Sequence, residues 1–164
     1  MIKPIIQCID GKKLKISEEV LMTLEKYIQK GSSSVESGGV LIGKENYSNE
    51  DIIITHATEP LQEDKQTYNR FYRKDKGHIK YFEDLYESLN GTLRYIGEWH
   101  THPEACPNYS IMDARNWLKI ERYGGLKIDY YHLIIGYEAI RVWKLEKKAI
   151  RPSLVATIQW EKIY

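Results

Sequence analysis

The spacing of apolar residues changes period along the chain, and each change predicts an element. Residues 2–9, with Ile2, Pro4, Ile5, Ile6, Cys8 and Ile9, predict an opening strand. Ser17 stands before Val20, Leu21, Leu24, Tyr27 and Ile28, which form one stripe of a helix capped by the serine and ended by Gly31. The runs 38–43 and 51–57 flank the turn Asn46-Tyr47-Ser48-Asn49-Glu50 and predict a hairpin. Ile79, Phe82, Leu85, Tyr86 and Leu89 predict the buried stripe of a second helix over 76–90, closed by Asn90-Gly91. A strand-like run follows over 93–99, then a helix from Ser110 to about Arg122 closed by Gly124-Gly125. Residues 128–136 and 139–145 predict a hairpin around Tyr137-Glu138, and 153–160 a last strand. Strands interleaved with three helices argue for a layered α/β fold. Only 58–74 lacks a period, and a loop of that length is usually functional or mobile.

One predicted strand carries chemistry. It runs into Glu98-Trp99-His100-Thr101-His102-Pro103, followed by Ser110 and Asp113. Residues i and i+2 of a strand project from the same face, so His100 and His102 point one way and Thr101 the other. Pro103 has no N–H and biases His102 toward extended geometry, so the strand ends there and opens into a loop. Ser110 fits a helix N-cap and Asp113 the third helical position, a capping box that needs no metal. The same placement puts the Asp113 carboxylate at the positive end of the helix, which favours its ionised form. Two imidazoles, one carboxylate and a spare acidic residue, Glu36 in Glu36-Ser37-Gly38-Gly39, are what a catalytic zinc needs: three ligands, an open position and a base. Taken alone, Glu36 reads as a solvated glutamate at a loop-to-strand junction, and only the residues around it raise it above that reading. Other His-x-His chemistries fit less well. An amidohydrolase barrel takes about 250 residues, and a metallo-β-lactamase-type site would carry further ligands where Glu104-Ala105 stands. His56, His78 and His132 have no ligand-like spacing and read as structural or surface residues, and Cys106 reads as a bystander in the loop.

Glu36-Ser37-Gly38-Gly39-Val40-Leu41-Ile42-Gly43, with His100-Thr101-His102-Pro103, Ser110 and Asp113, resembles the JAMM (MPN-plus, JAB-domain) zinc metalloprotease family at that family's spacing and over most of the chain. The resemblance implies a single domain over 1–164, a cytidine-deaminase-like α/β/α sandwich with a mixed central sheet and about three helices. It implies one zinc per chain on His100, His102 and Asp113, with Glu36 as the general base that activates water and Ser110 helping to stabilise the oxyanion. Gly97-Glu98-Trp99, Glu104 and Trp117 are similar to the bacterial branch found in CBASS anti-phage operons. That likeness implies an isopeptidase reversing conjugates made on a cGAS-like nucleotidyltransferase by a fused E1–E2-like conjugating enzyme. Asn108-Tyr109 departs from the branch, where a proline is expected immediately before the serine. A peptidase of another bacterial ubiquitin-like pathway, a small-molecule amidase and a non-catalytic MPN scaffold are the competing readings. The scaffold would lack the ligands that this chain carries.

Composition adds constraints. Twenty-four basic against 23 acidic side chains give a net charge of +1, no reason to expect a nucleic-acid or anionic-membrane partner. No apolar run approaches the ~18 residues of a membrane span, and Met1-Ile2-Lys3-Pro4 opens no secretory signal. Two cysteines, Cys8 and Cys106, make no disulfide framework, and a reducing cytoplasm suits both. The expected substrate is a protein whose extended C-terminal tail lies across the site. The cleft is expected between part of 58–74 and Trp99 or Tyr109.

Overall fold

The computed structural model describes residues 5–124 and 128–164, so Ile2 and Pro4 of the expected first strand, and Gly125, lie outside the described residues. The described part of that strand is short, β1 (Ile5–Gln7), and pairs antiparallel with β2 (Lys13–Ile16). The sequence reading missed β2, although its alternation buries Leu14 and Ile16 and exposes both lysines. Ser17 caps α1 (Glu18–Lys26) by accepting from the Val20 N–H. That helix ends before Gly31, but Tyr27 and Ile28 still pack against the core beneath it.

The expected hairpin is β3 (Gly38–Glu45) with β4 (Ile52–Ala57). Residues 58–74, read as irregular, contain a small separate hairpin of β5 (Lys65–Thr67) and β6 (Arg70–Tyr72). Then come α2 (Gly77–Ser88), β7 (Arg94–Thr101), α3 (Ile111–Tyr123), β8 (Tyr130–Ile135), β9 (Ala139–Leu145), β10 (Ser153–Gln159) and a closing 3-10 turn (Trp160–Lys162). The stripe expected on α2 is a correction. Phe82 and Leu85 are half-buried, Ile79, Tyr86 and Leu89 are exposed, and the one fully buried residue of the helix is His78.

Among the described residues, eight strands form one mixed sheet in the order β1-β2-β4-β3-β7-β8-β9-β10. The β2–β4 and β7–β8 pairs are parallel and the rest antiparallel. Strand alternation sorts the side chains. Leu41, Leu133 and Ile135 join Val20, Leu21 and Leu24 of α1 in one cluster. From the opposite face Val40 and Ile42 meet Phe82 and Leu85 of α2, and Tyr130 and Ile134 meet Trp117 of α3. The chain is therefore an α/β/α sandwich with a mixed sheet, α1 on one side and α2 and α3 on the other. A bulge between β3 and β7 brings Gly97 so near β8 that a Cβ there would stand 2.0 Å from the Tyr131 carbonyl oxygen, and only glycine fits. Among the described residues no helix is long and apolar enough to cross a membrane.

Candidate metal centre

β7 lies near the middle of the sheet, and its last residues are fixed from both sides. Thr101 N–H donates to the Ser37 carbonyl at 2.8 Å, and His102 N–H to the Ile135 carbonyl at 3.0 Å. Thr101 points to the α1 side, where its hydroxyl donates to Gln29 at 3.0 Å and accepts from Ser37 N–H at 2.9 Å. Glu98, His100 and His102 take the other side, as the period-2 reading requires. Trp99 lines the cleft, as expected of it, while its indole is buried, 5.7 Å from Tyr27, and donates to the Thr58 carbonyl at 2.9 Å.

α3 starts opposite the two imidazoles, and its capping box is complete. Asp113 N–H donates to Ser110 Oγ at 3.0 Å, and Ser110 N–H donates to Asp113 Oδ2 at 2.8 Å. The box aims the Asp113 carboxylate across the gap, with Oδ1 3.2 Å from His100 Nε2 and Oδ2 3.2 Å from His102 Nε2. The two Nε2 atoms are 3.0 Å apart. One donor atom from each of the three residues lies within 4.8 Å of the others, a grouping that could hold a metal ion, and Cys106 and His56 take no part in it. His102 Nδ1 lies 2.9 Å from Glu104 Oε1. The Nδ1 proton donated to that carboxylate leaves the Nε2 lone pair facing the centre, the usual way an outer carboxylate orients a metal-binding histidine. Sequence reading had credited Glu104 only with family likeness.

Glu36, just before β3, is buried, and its Oε1 lies 3.6 Å from His102 Nε2. Burial pushes its carboxyl pKa up; the imidazoles of His100 and His102 pull it back, Asp113 pushes it up again, and the net shift is upward. Asp113 goes the other way: burial would raise it, but the two imidazoles and the Ser110 N–H hold it well below the usual carboxylate range. Two acidic groups in one pocket are thus shifted in opposite directions. Ser110 stands at the rim of the same cleft. Its cap uses a lone pair of Oγ and leaves the hydroxyl proton free to donate.

Behind the centre Trp117 stacks on His132, with ring centroids 4.5 Å apart and planes 2° from parallel, and lies 6.2 Å from the His100 ring. His132 accepts from Glu98 N–H at 3.0 Å, and burial followed by the nearby His100 push its pKa down to about 3. It is a packing residue, as expected. At the position of the missing proline, Asn108 accepts from Arg141 at 2.6 Å and the Tyr109 ring packs edge-on to Trp143.

A cleft of about 620 Å³ opens over this group. One wall is α3, with Met112, Asn116 and Ile120; the other is Asn69, Arg70, Phe71, Tyr72 and Arg73 of the small hairpin. Arg73 Nε donates to Glu98 Oε1 at 2.7 Å inside it. Part of 58–74 was expected to bound the cleft, and its aromatic and basic residues Arg70, Phe71, Tyr72 and Arg73 do line it.

The chain and its fold belong to a known class. Residues 27–146 match the profile of the prokaryotic homologs of the JAB domain, and the chain belongs to that family. Two relatives in Escherichia coli (strain TW11681) and Pseudomonas aeruginosa (strain BWHPSA011 / Pa011) are each named CD-NTase/cGAS isopeptidase. The first is 41% identical over 103 residues, 63% of this chain and 65% of the relative, so the chain spans just under two thirds of that relative's length. The second is 33% identical over 129 residues, 79% of this chain and 80% of the relative. Among solved structures, protein DSY2949 from Desulfitobacterium hafniense shares the fold at 14% identity, with a TM-score of 0.59 over 86% of this chain and 88% of that one.

Proposed function

We propose that this chain, as one domain over 1–164, is a zinc-dependent isopeptidase of the bacterial cytoplasm that cuts the amide bond after the C-terminal residue of a conjugated protein. The observation that carries the reading is the convergence of His100, His102 and Asp113 at the floor of an open cleft, with a second, more basic carboxylate 3.6 Å from His102. Two imidazole nitrogens and one carboxylate oxygen are a common catalytic zinc set with a fourth position left open. When bound, zinc supplies Lewis acidity, polarising the scissile carbonyl and making water a usable nucleophile near neutral pH.

The protein's own groups do the rest. Glu36 takes the proton of the attacking water and returns it to the leaving amine. Ser110 donates its hydroxyl proton to the oxygen that gains charge. Glu104 holds the His102 ring in the binding tautomer. The extended tail lies in the cleft between the hairpin and α3, and Phe71 and Arg73 select its side chains. The names of the relatives support a CD-NTase as the conjugated protein, with an E1–E2-like enzyme making the conjugate.

The test fuses the C-terminal tail of the nucleotidyltransferase encoded beside this chain's gene to an unrelated reporter. Cleavage at the junction, abolished by a chelator and restored by zinc, is the expected result. Turnover of small amides with the fusion left intact would instead make the chain a small-molecule amidase.

A further inference from the structure

The β5–β6 hairpin forms one wall of the cleft and also holds the segment that bears Glu36. Glu36 N–H donates to the Thr67 carbonyl at 2.7 Å. The Gln66 side-chain amide donates to the Glu36 carbonyl at 3.1 Å and to Ser37 Oγ at 2.9 Å. The backbone N–H of Phe71 is near enough to the Glu36 carboxylate to lower its pKa. The Phe71 ring packs against Gly38, where a Cβ would stand 2.5 Å from it.

Two strands of three residues, largely exposed, do not fix their own position. The hairpin is fixed at its base by a buried carboxylate. Asp64 accepts from Leu61 N–H at 2.8 Å on the incoming leg, and from Lys74 at 2.8 Å and Asp75 at 2.9 Å on the outgoing leg. Its Oδ2 also lies 2.6 Å from His78 Nε2, and both side chains are fully shielded from solvent. His78 Nδ1 lies 2.6 Å from Thr58 Oγ1. Thr58 is locked to the sheet: its hydroxyl oxygen accepts from Val40 N–H at 2.8 Å, its N–H donates to the Val40 carbonyl at 3.0 Å, and its carbonyl accepts from Trp99. A Thr58 hydroxyl that donates to Nδ1 places the ring proton on Nε2, facing Asp64.

We propose that Asp64, His78 and Thr58 are positioning residues: a buried relay that registers the hairpin against β3 and β7 and thereby sets where the Glu36 carboxylate stands. The consequence for turnover rests on the isopeptidase reading; the consequence for the hairpin does not. A chain this polar is not buried to fill space. An apolar contact would pack α2 as well, whereas four hydrogen bonds converging on one carboxylate give a direction and a register.

The test measures backbone amide exchange, metal content and turnover on the whole chain. Asp64→Asn keeps the volume but turns one acceptor into a donor facing N–H groups. Thr58→Val removes the relay hydroxyl, and Thr58→Ser restores it. In Asp64→Asn and Thr58→Val, amides of 65–73 and the Glu36 amide should exchange at least about 10-fold faster, while Leu133 and Ile134 in β8 and the zinc content stay as in the parent. The kcat on the tail fusion should fall about 10- to 100-fold, the scale of a carboxylate displaced by an ångström or less, and Thr58→Ser should behave as the parent. Should those variants fail to fold, Gln66→Ala cuts only the tie to Glu36 and Ser37, and should lower kcat without loosening the base of the hairpin. Unchanged exchange at the hairpin and Glu36 in Asp64→Asn overturns the proposal, as does parental kcat in a variant whose Glu36 amide has loosened. A parent chain that cleaves no fusion overturns the isopeptidase reading, and exchange still decides the anchor.

Discussion

On the α1 side of the sheet, Leu41, Leu133, Ile135, Ile140 and Val142 join Val20, Leu21 and Leu24 in one continuous apolar cluster. On the other side the apolar contacts divide, one group under α2 and one under α3. His100 on β7, and His102 just past its end, stand between the strand that carries the first group and the strand that carries the second. A single strand serves both faces: Ile96, Trp99 and Thr101 turn toward α1, and Glu98, His100 and His102 turn toward the cleft. Alternation lets the polar site be cut into one face without interrupting the core on the other. The cost is local. The cleft face brings two imidazole nitrogens within 3.0 Å of each other and sets one buried and one half-buried carboxylate beside them, a cluster that a cation would relieve.

The contrast should appear first in stability. Leu133→Ala on the core face should cost about 2–5 kcal/mol in chemical denaturation. His100→Ala with His102→Ala should cost the metal-free protein much less, yet abolish zinc in elemental analysis. A double variant as unstable as Leu133→Ala, or one that keeps its zinc, would erase the distinction between the faces. Next in size is Glu104→Ala. The ring it orients remains, so metal affinity should fall about 10- to 100-fold rather than vanish, read by competition with a chromogenic chelator.

A smaller effect concerns pH. Burial pushes the Asp64 pKa up, but hydrogen bonds from Asp75, Leu61, His78 and Lys74 outweigh it, and the net shift is downward. A carboxyl whose folded pKa lies below its unfolded value, about 3.9, contributes stability that is complete above that value and is lost as pH falls through the folded pKa. Unfolding free energy measured from pH 6 down to pH 2 should therefore fall less steeply in Asp64→Asn than in the parent.

What the sequence made legible follows the same division. His100 and His102 share a face because they are two residues apart in a strand, and Ser110 with Asp113 reads as a helix start because a capping box is local. The hairpin was illegible because Lys65-Gln66-Thr67 and Arg70-Phe71-Tyr72 show no apolar alternation; they are held by Asp64 and by Glu36, not by a core. β2 was readable in Leu14 and Ile16, but the opening strand was drawn over residues 2–9 and the turn back was missed. On α2 the helical period named Ile79 as buried, whereas His78 is, because its partners Asp64 and Thr58 lie far off in sequence. The contact of Glu104 with His102 needed coordinates in the same way.

The central claim is that Glu36 moves the proton while His100, His102 and Asp113 hold the metal. Glu36→Gln separates the two when zinc content and cleavage of the tail fusion are measured on the same preparation. The account predicts one zinc per chain and a rate lowered by about 10²–10⁴-fold, the usual loss on removing a general base. A variant that loses its zinc, or one that cleaves at the parental rate, would contradict it.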